Sequence, residues 1–167
     1  MKRFTGIVLG GVLVIFLSMS LSFAADKLAY VNLSKAFSEY TKTKDYDKIL
    51  TEKENAYTAE RDKKANDLKQ LRDKINLLSD KEKETKQADF QEKVKAFQEF
   101  VSQKEGDLRK EQDERMREIM QDIQGVVKTI SERDGYTLVF NDRVLVYQQK
   151  SLDITDQVVT ALNKQKK

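Results

Sequence analysis

Leu68-Lys-Gln-Leu-Arg-Asp-Lys-Ile-Asn-Leu-Leu-Ser-Asp-Lys-Glu82 decides between one long helix and two. Leu68, Leu71, Ile75 and Leu78 recur at spacings of three, four and three, which lays an apolar stripe along one helical face. Ser79 with Glu82 three residues on is a capping-box pattern, in which each side chain satisfies the other residue's free backbone N–H at a helix start. A helix therefore begins again at Asp80, almost where the first one stops. Two helices so closely linked fold back as an antiparallel hairpin. The competing reading is a single continuous helix through Ser79.

On the far side of the turn, Phe90, Val94, Phe97, Val101 and Leu108 continue the helical spacing. Folding about position 80–81 sets Leu71 opposite Phe90, Leu68 opposite Val94 and Lys64 opposite Phe97, a two-helix coiled coil. Lower down, Arg61 faces Val101, Tyr57 faces Lys104, Glu54 faces Leu108 and Leu50 faces Glu111, so the apolar seam fails. Gly106 lies in that stretch, at a helix-interior cost of about 1 kcal/mol relative to Ala. The expectation is a firm tip, a loose middle hinged at Gly106, and a firm base. At the base, Met116, Ile119, Met120, Ile123, Val126, Val127 and Ile130 form a face too broad for one partner helix, and it should pack into a body.

Both ends of the chain supply that body. Lys27 to Asn32 reads as a strand, Ser34 to Tyr40 as a short helix and Thr41 to Lys44 as a polar junction. Gly135 suits the left-handed C-cap of the long helix. Tyr136 to Phe140 and Val144 to Tyr147 read as a β-hairpin turning through Asn141-Asp-Arg143. Asp153 can cap a last helix from Ile154 to Asn163. The fold class is α+β: a long antiparallel helical hairpin, the coiled-coil arm of residues 45–133, on a small β body built from 25–44 and 134–167. Three short strands leave unpaired edges and a poor core, so the body should be completed by oligomerisation.

The first 24 residues read as a signal peptide: Met1-Lys-Arg3, an apolar core from Gly6 to Leu17, and Ser22-Phe-Ala24 before cleavage after Ala24. A retained membrane anchor is the competing reading, but the core is short of the roughly 20 residues that span a bilayer. Losing Lys2 and Arg3 lowers the formal net charge from +3 to +1, which argues against nucleic acid as a partner. Without cysteine there is no disulfide or lipid anchor, and without histidine the commonest general base and metal ligand is missing. The absence of proline suits long unkinked helices. No catalytic residue, cofactor site or metal site is expected; carboxylate pairs such as Asp113-Glu114 lie on a charged helix with no pocket signal.

Asp26-Lys-Leu-Ala-Tyr-Val-Asn-Leu-Ser34 after the leader, Tyr136 to Phe140 after the arm, then Val144 to Tyr147 and Asp153-Ile-Thr-Asp156 follow in an order that resembles the Skp/OmpH family of periplasmic chaperones. The resemblance covers essentially the whole mature chain. It implies a homotrimer with a joint nine-stranded body and three arms around a central cavity. It also implies an ATP-independent periplasmic holdase that keeps unfolded outer-membrane β-barrel proteins soluble for insertion. The family's arms are commonly strongly basic; this one is close to charge-balanced. The alternative function is a structural coiled-coil protein of the envelope without chaperone activity.

Apolar residues off the seam, Ile49, Leu77, Ala96 and Phe100, are candidate client contacts, against the plainer reading of surface exposure or arm packing. Tip residues Lys74, Lys81, Lys83, Lys86, Lys93 and Lys95 are candidates for a weak membrane, lipopolysaccharide or acidic-client contact. Their plainer reading is a solvated helix face of mixed sign.

Overall fold

The computed structural model describes residues 26–164; the expected leader and the cleavage expected after Ala24 lie outside the described residues. Two helices dominate, α2 from Thr41 to Asn76 and α3 from Asp80 to Asp134. Neither contains proline, so every interior N–H stays available to the helical ladder. They fold back at Leu77-Leu-Ser79. The Leu77 amide donates to the Lys74 carbonyl and the Leu78 amide to that of Ile75, tightening the last turn. The Ser79 amide donates to Glu82 Oε2 at 3.2 Å, and the Ser79 hydroxyl binds the same oxygen. The capping box thus forms, and the continuous-helix reading fails. At the other end of α3, Gly135 takes φ 75° and its N–H closes onto the Ser131 carbonyl at 2.9 Å. That left-handed position is strained for any residue with a Cβ.

Strand β1 (Leu28–Val31) leads through Asn32 into helix α1 (Leu33–Glu39). Asn32 caps α1, its Oδ1 accepting from the Lys35 amide at 2.7 Å. The polar junction expected at Thr41 to Lys44 is instead the first turn of α2. The break from α1 falls on the single residue Tyr40, extended at φ −68°, ψ 125° and buried. Its own side chain does not cap α2. Asn163 does so from the far end of the chain: its Oδ1 accepts from the Thr41 amide and hydroxyl, both at 2.8 Å, while its Nδ2 donates to the Glu39 carbonyl.

Strand β2 (Leu138–Asn141) pairs parallel with β1, Leu28 opposite Leu138 and Val31 opposite Asn141. Parallel neighbours need a long crossover, and the whole arm serves as that connection. The expected β-hairpin is therefore a misreading. After β2 the chain makes a 3-10 turn at Asp142–Val144, with the Asn141 side chain accepting from the Arg143 amide, and Val144 to Tyr147 forms no strand. The tight hairpin turns demand positive φ, and among the described residues only Gly135 has it. A second 3-10 turn (Lys150–Leu152) precedes α4 (Thr155–Lys164), with Asp153 Oδ1 accepting from the Thr155 amide. On the free side of β1, the Ile154 amide donates to the Tyr30 carbonyl at 3.0 Å.

The core is where α3's base meets β1, α1 and α4. Ile119, Ile123, Val126 and Ile130 recur at four, three and four residues and are all buried. They pack with Ala29, Val31, Ala36, Tyr40, Ile154, Val158 and Leu162. Each fully buried aliphatic side chain there contributes about 1.5–3 kcal/mol. Met120 and Val127 pack against this cluster, whereas Met116, which the sequence also placed in the packed base, lies beyond it, half exposed, because it stands where the body ends and the arm begins.

Candidate functional site

The arm leaves the body through a charged clamp. Lys42 Nζ on α2 reaches Glu118 and Asp122 of α3, each at 2.7 Å. The Tyr46 hydroxyl donates to Glu118 at 3.0 Å, the Tyr40 hydroxyl to Asp122 at 3.2 Å, and Arg115 pairs with Glu118 at 3.1 Å. Desolvation opposes the charge on Lys42, but its bonds to Asp122 and Glu118 win and raise its pKa. The bond from Lys42, helped by Tyr46 and Arg115 against partial burial, holds the Glu118 carboxyl below the ordinary glutamate range. The clamp sets where the two helices separate from the body.

Directly above it lies a groove of about 140 Å³ between the helices, walled by Phe37, Tyr46, Ile49, Leu50, Met116 and Ile119. Ile49 is 45 % exposed and Met116 47 %, one from each helix. Arg115 forms part of the rim, its guanidinium 4.6 Å from the Tyr46 ring centre. Such a concave apolar surface with a charged rim accepts an apolar side chain and leaves polar neighbours in water.

Burial then stops. Between Thr43 and Ile75 no residue of α2 is buried, nor is any of α3 between Asp80 and Ile119. In that interval the helices are joined by polar and aromatic contacts. Lys53 pairs with Glu111 at 2.6 Å and the Tyr57 hydroxyl donates to Glu105 at 3.1 Å. Tyr57 packs on Phe100, with Arg61 over the tyrosine ring and Lys64 over the phenylalanine ring. Tyr57–Glu105 falls within a residue of the expected Tyr57–Lys104 pairing, whereas Lys64–Phe100 and Lys53–Glu111 fall about a turn from a pairing that set Lys64 opposite Phe97 and Leu50 opposite Glu111. Side chains lean toward their own helix's N-terminus, so in an antiparallel pair Lys64 reaches past Phe97 to Phe100. Phe100 is accordingly part of the seam and half buried, and its reading as an off-seam residue does not hold.

A second, larger groove of about 310 Å³ runs along the distal arm over Leu68, Leu71, Ala96, Phe97 and Phe100, with Lys64 and Lys93 beside it. Beyond it Ile75 is buried, which closes the tip. Leu77 sits in the turn itself, 88 % exposed. Thus Ala96 and Phe100 share one groove, Ile49 lines another, and Leu77 stands at the tip; the four form no single site. Among the tip lysines, Lys83 lies 3.9 Å from Asp80, Lys93 2.9 Å from Asp89 and Lys95 3.9 Å from Glu99. Lys74, Lys81 and Lys86 make no ion pair among the described residues. The sequence reading missed the arm-root groove. Its signal was a half-apolar layer, Ile49 and Leu50 level with Met116, hidden by the charged residues around it.

On the body, Leu138, Phe140, Val144, Val146 and Tyr147 are each exposed. β2 pairs with β1 alone among the described residues, so its outer edge keeps free N–H and C=O groups.

Comparison with known proteins bears on both surfaces. Residues 27–162 match the family model described as outer membrane protein (OmpH-like). A protein of Pectobacterium atrosepticum named chaperone protein Skp is 29 % identical over 140 residues, covering 81 % of this chain and 85 % of that protein. A protein of the same name from Yersinia enterocolitica is 27 % identical over 147 residues, covering 86 % and 90 %. A crystal structure from Caulobacter crescentus, described as an outer membrane chaperone (OmpH-like), superposes with a TM-score of 0.76 at 15 % identity, covering 84 % of this chain and 85 % of that one.

Proposed function

Because this chain belongs to the OmpH-like outer membrane protein family and two of its relatives are named chaperone protein Skp, we propose that it is an ATP-independent periplasmic holdase. It binds unfolded outer-membrane β-barrel proteins and keeps them soluble until insertion. The family match across body and arm carries this reading. The arm's geometry supports it: two apolar grooves and an exposed tip leucine are strung along α2 and α3, each too small to hold a folded partner. Many weak contacts of this kind retain an unfolded chain without trapping it, and they mask segments that would otherwise pair between chains.

The working form is a homotrimer. In one chain, β2 ends in an open edge beside the exposed Val144 to Tyr147 segment. Joining copies edge to edge covers these residues and pairs the free backbone groups. It also points three arms of about 50 Å the same way, 36 residues of α2 at about 1.5 Å each. The unpaired tip lysines, with Leu77 between them, give each arm a weak affinity for anionic head groups or acidic clients.

The test is light scattering after dilution of a denatured outer-membrane β-barrel protein, with and without this protein, alongside native mass measurement. Suppression at a stoichiometric trimer, weakened by Ile49→Asp, is the expected result. No suppression favours the alternative, a structural coiled-coil protein of the envelope. A stable monomer overturns the trimer.

A further inference from the structure

We infer that Met116 is a selective, reversible oxidation site that switches the arm-root groove between an apolar and a polar state. Beyond the leader segment the sequence holds no cysteine and just two methionines, Met116 and Met120, so these are its only sulfur atoms there. They lie one turn apart on α3, and their surroundings differ. Met120 packs against the core cluster beside Ile119 and Ile123. Met116 is 47 % exposed and stands at the groove mouth, with Phe37, Ile49 and Leu50 as its apolar neighbours.

A thioether reacts with a peroxide when the oxidant can reach the sulfur lone pair, so exposure sets the order of reaction. The sulfur attacks one peroxide oxygen, the O–O bond breaks and accepts the electron pair, an S=O bond forms, and water leaves. Sulfur is oxidised by two electrons and the peroxide is reduced by two. A methionine sulfoxide reductase with a dithiol reverses the step, yielding thioether, water and disulfide. Thioethers are soft, adaptable groove-fillers, whereas the sulfoxide is polar and chiral. At Met116 the new oxygen would place a polar group between the apolar wall of Phe37, Ile49 and Leu50 and the polar rim of Asp47, Glu111, Gln112 and Arg115, and a client side chain entering the groove would lose an apolar partner. This functional consequence rests on the holdase reading; the site selectivity does not.

The folded full-length mature protein is treated with hydrogen peroxide, and peptide mass spectrometry follows oxygen addition at each methionine. Met116 should be modified several-fold faster than Met120; equal rates, or Met120 first, would overturn the selectivity. The same samples are assayed for suppression of client scattering. Wild type and Met120→Leu should lose suppression several-fold on oxidation and regain it with reductase, while Met116→Leu should show the same suppression before and after peroxide, whatever its starting level. If Met116→Leu loses as much as wild type, the switch is wrong. If unoxidised protein never suppresses scattering, the holdase reading and the switch fall together, and the two oxidation rates still decide the modification site.

Discussion

Tyr57 on α2 and Phe100 on α3 meet across the arm with ring centroids 6.0 Å apart and planes tilted by 40°. Arg61 lies 5.8 Å from the tyrosine ring and Lys64 4.9 Å from the phenylalanine ring, so two cations flank the aromatic pair. This cluster stands where no residue of either helix is buried. It holds together a stretch that an aliphatic seam does not.

Removing Phe100 should therefore open the arm locally. Tilted aromatic pairs contribute about 0.5–1.5 kcal/mol beyond area burial, and each cation over a ring about 0.5–1 kcal/mol at exposed sites. Phe100→Ala should raise amide exchange from Tyr57 to Leu71 and from Val94 to Leu108. Exchange at Ile119 to Ile130 should be unchanged; equal acceleration there would mean that the arm does not unfold independently of the body.

Gly106 lies on the same stretch, exposed, and an added Cβ would meet nothing within 4 Å. Gly106→Ala should stabilise α3 by about 1 kcal/mol and slow exchange around it. If Gly106 is the arm's hinge, the substitution also narrows the distribution of tip-to-body distances measured by spin labels. An unchanged distribution places the bending elsewhere.

Asn163 joins α4 to the break between α1 and α2 through three hydrogen bonds. Asn163→Ala leaves the Thr41 amide uncapped at the start of a 36-residue helix. Loss of such a cap costs about 0.5–2 kcal/mol. Urea titration should show a lower midpoint with an unchanged slope, and Asn163→Asp should recover part of the loss through its acceptor oxygen.

Acid should loosen the arm root. The Glu118 carboxyl is held below its usual value of 4.5, so its contribution is complete above that pH and disappears as pH falls through the depressed folded value. Glu118→Gln removes the titrating group. The stability gap between wild type and this variant should be widest above the ordinary glutamate value and close as pH falls through the depressed folded value. A gap independent of pH would mean that Glu118 contributes by packing alone.

Much of this architecture is local chemistry and could be read residue by residue. The turn at Ser79 follows from two side chains three residues apart, and the end of α3 from one glycine that tolerates positive φ. The buried stripe from Ile119 to Ile130 follows from helical periodicity. The limits of α1 and α4 came out within a residue or two for the same reason.

What the sequence could not decide depends on groups brought together from far apart in the chain. Strand propensity at Val144 to Tyr147 does not make a strand without a neighbour to bond, and β2 found its neighbour in β1, across the whole arm. That α2 starts at Thr41, with no polar junction before it, has no local signal because its cap, Asn163, lies 122 residues from Thr41. Ideal pairing sets Phe100 off the seam, whereas its contacts with Tyr57 and Lys64 across the arm place it in the seam. The arm-root groove exists because Ile49 and Met116, each unremarkable on its own helix, are set side by side when the clamp at Lys42 closes. Periodicity along one helix determines which residues share a face; only the tertiary structure decides what that face meets.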